Sequence, residues 1–169
     1  MPDRRRRPKS KIDVDLIHDA GVWNDLDEIE TLVEAAAAEV AVEPRLAVGK
    51  VGVSVVLSDD ASVAGLNAQF RSKPKPTNVL SFPPGPGAPA GHLGDIVLAS
   101  ETIVREADEQ DVPVEHHLQH LVVHGLLHLL GFQHEADKAA EDMEKLEIQI
   151  LARLGVANPY TGALERDRT

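Results

Sequence analysis

"HGLLHLLGFQH" spans His124–His134, and its reading decides the fold. Histidines stand at i, i+4 and i+10, with a glycine at i+7. Residues four apart lie on one helical face a turn apart, close enough for two imidazoles to share one ion. A straight helix would carry the third histidine out of reach. Gly131 removes that difficulty. A left-handed cap, easy for glycine and disfavoured for residues with a Cβ, ends the helix there and lets the chain return with His134. The spacing predicts a helix, a stop and a return, with His124, His128 and His134 as ligands of one metal ion. The competing reading is three core histidines, each satisfied separately, which requires three independent hydrogen-bonding solutions.

The helix carrying this stretch reads from Pro113, well suited to a first turn, to Leu130. It is apolar nearly all round except for its histidines, so it belongs at the centre of a domain. His120 lies one turn before His124, so 120/124 is a rival pair, but only 124/128 combines with the glycine stop and the returning histidine, and His120 is read as supporting the ligands or as structural. His116 and His117 are read as surface residues. The last helix, about 137–154, places Met143, Leu146, Ile150 and Leu154 on one stripe and stops at Gly155.

Towards the N-terminus, "IDVDLI" (12–17) alternates apolar and acidic residues, as a half-buried strand does. Asn24 can cap a helix reaching about Val42, with Ile29, Leu32, Val33, Ala36 and Val40 on one face. "VGVSVVL" (51–57) is a β-branched strand, and Asp59 or Asp60 starts a short helix to about Phe70. Strands follow at 77–82 and 94–99, then a helix at 101–110. Strands early and helices late favour an α+β fold, a mixed four-stranded sheet packed with about five helices around a zincin-like metal-binding helix.

The 169 residues suffice for one domain with a sizeable core. Only 3% are aromatic, so that core must be aliphatic. There is no cysteine, which excludes disulfides and thiolate metal sites and leaves His, Asp and Glu as ligands. Neither a secretory signal nor a membrane span is legible, so the expected location is cytoplasmic, with no membrane partner. Residues 1–11 hold six of the 17 basic residues and one of the 28 acidic ones, leaving 11 positives against 27 negatives. The expected organisation is a basic arm (1–11), a single metallohydrolase domain (12–160) and a tail (161–169). So acidic a body argues against nonspecific coating of nucleic acid but leaves room for a local basic site.

Three imidazoles leave a tetrahedral zinc one position for water, whose pKa the ion lowers to about 7, so hydrolysis is the chemistry to expect. The spacing matches that of the metzincin proteases, H-E-x-x-H-x-x-G-x-x-H, with one change: Gly125 stands where the protease has its general-base Glu. A phosphodiester makes a different demand, because charge accumulating on its oxygens can be met by a metal and a guanidinium. Arg71, Lys73 and Lys75, in "LNAQFRSKPKPTNVLSF" (66–82), form the tight basic cluster of the acidic body. Such a cluster is otherwise read as a solvated loop.

"HGLLHLLGFQH", together with "LN..FR.K.KPTNVLSFP", "GDIVLA" and "GVANPY", resembles the YbeY family of endoribonucleases over roughly residues 50–160. The resemblance implies a metal-dependent, single-strand-directed endoribonuclease acting in 16S rRNA 3′-end maturation and ribosome quality control. It implies one zinc ion on His124, His128 and His134, with zinc-activated water attacking the phosphodiester. Arg71 would be the catalytic arginine, with Lys73 and Lys75 binding RNA. Ribosomal RNA and the ribosome or its small subunit would be the partners, and DNA is not expected. Two positions depart from the family pattern: Gln133 replaces an Asp, still able to support the ligands by accepting a hydrogen bond but adding no negative charge, and Pro74 replaces the Asp between the two lysines. The alternatives are a metalloprotease-like amide hydrolase, for which Glu135 is the nearest base, and a noncatalytic metal-containing ribosome assembly factor.

Overall fold

Alternation in the first strand sets the lower edge of the sheet. In β1 (Lys11–His18), Ile12 turns inward and is buried while Lys11, Asp13 and Asp15 face out. Charges on an edge strand discourage pairing with other chains. The computed structural model describes residues 10–24, 26–71, 77–132 and 137–160, the side chains of 71 and 137–140 excepted. The remaining elements are α1 (Leu26–Ala41), β2 (Lys50–Ser58), α2 (Asp60–Arg71), β3 (Val79–Phe82), β4 (His92–Ala99), α3 (Ser100–Gln110), α4 (Val114–Leu129) and α5 (Asp137–Arg153). The fold is α+β, with a mixed four-stranded sheet and five helices among the described residues.

Strand order is β1-β2-β4-β3, with the first three parallel and β3 antiparallel on the far edge. The last four residues of β4, Ile96 to Ala99, are all buried, as expected of a strand covered on both faces. One face carries α1 and α4, with α5 packed outside them. Their core joins Val33, Val40, Leu57, Ile96, Leu98, Leu126 and Ile150. The opposite face holds a smaller cluster in which Val63 of α2 meets Leu80 and Val97. Burying a side chain such as Leu57 or Leu98 contributes about 1.5–3 kcal/mol. No helix among the described residues is long and apolar enough to cross a membrane.

Local signals set the helix ends. Asp59 accepts the Ser62 amide at 2.8 Å and so caps α2. α4 starts directly after Pro113, one residue later than a first-turn proline would place it. At its other end the Gly131 amide reaches the His128 carbonyl (3.0 Å) and the Phe132 amide reaches that of Leu127 (3.1 Å). With Gly131 at φ 112°, this is the paired hydrogen bonding of a Schellman stop. In α5, Leu151 is fully buried and Leu154 only half-buried, because the chain has already begun to turn at Gly155.

Candidate metal centre

α4 lies at the centre of the molecule, in contact with α1, α3, α5, β3 and β4. Its close seating on the sheet depends on Gly125. A Cβ there would sit 3.1 Å from both Ile96 Cδ1 and Ser81 Oγ, and 3.2 Å from Ile96 Cγ1. A Cβ there would therefore require the Ile96 and Ser81 side chains to give by a few tenths of an ångström. The position at which a metzincin carries its carboxylate is thus turned into the helix–sheet contact.

On the part-exposed side of α4, the rings of His124 and His128 stand edge to face with centroids 4.7 Å apart. His134 and Gln133 lie outside the described residues, as do Lys73 and Lys75. Arg71 is the last residue of α2, and its side chain is likewise not described. The adjoining Phe70 packs edge-on against Phe82 of β3, ring centroids 5.4 Å apart. Beyond it, the backbone of Phe82 abuts Gly94 of β4, which in turn approaches Leu129, the residue after His128. The end of α2 is therefore linked, contact by contact, to the end of α4 that carries the histidine pair.

Sequence reasoning missed Glu147. This residue of α5 is fully buried. Its Oε1 accepts a hydrogen bond from His124 Nδ1 at 2.7 Å, and its Oε2 accepts from His120 Nε2 at 3.0 Å and from the Tyr160 hydroxyl at 2.5 Å. Burial alone would raise its pKa. The hydrogen bonds from His120 and His124, with that from Tyr160 adding to them, bring it down to about 2. Burial, and then the facing Glu147 charge, pushes the Tyr160 hydroxyl well above its ordinary value. A signal did exist: Glu147 falls on the stripe of Met143, Ile150 and Leu151, and a charged residue on a buried stripe needs partners.

His120, His124 and Glu147 each offer a ligand atom within 4.8 Å of the others, so a metal could be considered for this group. The donor chemistry favours His124 and His128. An ionised carboxylate only accepts, so the His124 nitrogen facing it must carry a proton. In the neutral ring Nε2 would then be the atom to meet a metal, on a ring that stands edge to face with that of His128. These two imidazoles fit a zinc ion, which takes neutral histidine nitrogens and commonly has a carboxylate behind them.

The reading of His117 as a surface residue is overturned. It is buried, and its Nε2 pairs with Glu106 at 3.0 Å. Glu106 also accepts from Asn78 at 2.9 Å, which joins α3, α4 and the approach to β3. An all-round apolar helix surrounded by neighbours leaves little surface for a polar residue to reach.

Fold and site together define an α+β domain whose central helix presents histidines competent to bind a metal ion. The family model described as Endoribonuclease YbeY matches residues 18–155. A protein named Endoribonuclease YbeY from Bradyrhizobium sp. (strain BTAi1 / ATCC BAA-1182) is 46% identical over 161 residues, covering 90% of this chain and 95% of its own length. Another of that name from Maricaulis maris is 49% identical over 148 residues, covering 87% and 91%. The solution structure of TM1509 from Thermotoga maritima superposes with a TM-score of 0.53 at 27% identity, covering 85% of this chain and 91% of that one. The chain belongs to the YbeY endoribonuclease family.

Proposed function

We propose that this protein is a zinc-dependent endoribonuclease that cuts single-stranded ribosomal RNA, in 16S rRNA 3′-end maturation and ribosome quality control in the cytoplasm. The observation that carries this reading is the His124–His128 pair, 4.7 Å apart on a helix whose intervening Gly125 is packed against the sheet. The imidazoles favour a metal, and the buried glycine disfavours peptide hydrolysis, which needs a proton carrier for the leaving amine. Family membership supplies the RNA substrate class.

His124 and His128 would hold the ion, with His134 as third ligand. Bound zinc supplies an electrophile and lowers the pKa of water to about 7. The chain's own residues do the rest. Glu147 holds the His124 ring by its Nδ1 proton. Arg71, tied to this end of the sheet by its neighbour Phe70, would neutralise charge on the phosphate oxygens. Lys73 and Lys75 would grip flanking phosphates, giving salt-dependent affinity.

The test is cleavage of an RNA with single-stranded regions by the wild-type protein, Arg71→Ala and His128→Ala, with zinc measured in each. Arg71→Ala should lose most activity and keep zinc, whereas His128→Ala should lose both. Undiminished cleavage by either variant would refute its assigned role.

A further inference from the structure

We propose that Glu147 and Tyr160 are positioning residues for the metal centre: the carboxylate sets the tautomer and tilt of His124, and the tyrosine hydroxyl sets the carboxylate. This rests on His124 being a ligand, as argued under the proposed function. Glu147 lies on α5 at zero exposure, and its two oxygens receive three donors. Two come from α4. The third comes from beyond α5, where the chain has reversed. The Gly155 amide bonds the Ala152 carbonyl at 3.1 Å, the Val156 amide bonds that of Leu151 at 2.9 Å, and Gly155 has φ 78°. This turn sends 156–160 back along α5. Buried Val156 anchors the return and Asn158 holds the Tyr160 amide at 2.9 Å. The Tyr160 ring then stands edge-on to His120, centroids 5.7 Å apart. The C-terminal segment thus closes over the polar cluster and contributes its final donor.

The rival role for Glu147 is direct ligation with His120 and His124. Geometry opposes it. Two atoms bound to one tetrahedral zinc, each about 2.1 Å from it, lie about 3.4 Å apart. Glu147 Oε1 and His124 Nδ1 are 2.7 Å apart, a hydrogen-bond length. Moving the carboxylate onto an ion would also break the bond from Tyr160. A carboxylate that receives the far nitrogen of a ligand histidine raises its basicity and fixes its ring, an arrangement whose loss typically weakens metal binding about 10–100-fold.

The experiment is zinc titration of metal-free protein against a chromogenic chelator for wild type, Glu147→Gln and Tyr160→Phe. It is accompanied by long-range proton–nitrogen spectra of the histidine rings and by visible spectra of the cobalt-substituted proteins. Wild-type His124 should carry its proton on Nδ1 before any metal is added. Glu147→Gln should weaken zinc by about 10–100-fold, and Tyr160→Phe by a smaller factor, and both should keep the wild-type cobalt spectrum. Tyr160→Phe keeps the ring and so tests the hydroxyl even if Glu147→Gln fails to fold. An altered cobalt spectrum in Glu147→Gln would make Glu147 a ligand and overturn the proposal. Unchanged zinc affinity in both variants would overturn the positioning roles alone. A wild-type protein that takes up no zinc would overturn the metal reading beneath them.

Discussion

Arg153 Nη2 and a Glu43 carboxylate oxygen lie 3.1 Å apart, joining the last turn of α5 to the segment that follows α1. Arg153 also donates to Glu39 at 2.9 Å, and Arg45 donates to Glu43 at 2.6 Å. The hydrogen bond from Arg45, outweighing burial and aided by Arg153, holds the Glu43 carboxyl at about 2, well below its usual 4.5. A depressed folded-state pKa gives stability that is present above the unfolded value and lost as pH falls towards the folded one. The Glu43→Gln variant should accordingly be less stable than wild type at neutral pH. The deficit should shrink between about pH 4.5 and pH 2, as followed by urea denaturation at a series of pH values.

Gly131 turns the end of α4 at φ 112°. Among the described residues nothing lies within 4 Å of where a Cβ would sit, so the cost of substitution is argued from the backbone conformation. Gly131→Ala should lose about 1–2 kcal/mol, or roughly 2–8 °C in melting temperature for a domain of this size. If the turn also delivers His134, zinc affinity should fall with it. A melting temperature within 1 °C of wild type would contradict the strain.

Gly125 presents the opposite case, where space is the constraint. Replacing it with Ala gains about 1 kcal/mol of helix propensity and incurs an overpacking cost of about 1–3 kcal/mol against Ile96 and Ser81. A net loss of up to about 2 kcal/mol is expected. Gly125→Glu should be far worse, since it drives a charge into that contact. Chemical denaturation of both variants would measure the difference.

Removing the metal should stop RNA cleavage without unfolding the chain. α4 is held by Leu121, Val122, Leu126 and Leu127, all buried, so its position does not depend on an ion. Circular dichroism should be unchanged by a chelator, while adding zinc at 100 times its dissociation constant should raise stability by about 2.7 kcal/mol. Loss of helix signal on chelation would show that the ion is structural.

Much of the fold was legible because its signals are local. The Asp59 cap, the stops at Gly131 and Gly155 and the alternation of β1 are each decided by the backbone chemistry of a few neighbouring residues. Strand order was not legible: β4 inserts between β2 and β3, a pairing that no short-range pattern encodes. At the site, the histidine spacing could be read along one helix. For Glu147 the sequence held only half a signal: its charge on the buried stripe of α5 called for partners, but those partners come from α4 and from a segment thirteen residues further on. His117 was misread for the same reason, its partner Glu106 lying on a different helix.

The tight seating of Gly125 has an evolutionary consequence. A single replacement at that position would complete the protease signature, yet the Ile96 and Ser81 side chains would have to give way to accommodate it. The shortest mutational route toward peptidase chemistry is therefore obstructed by folding, before selection on catalysis could act.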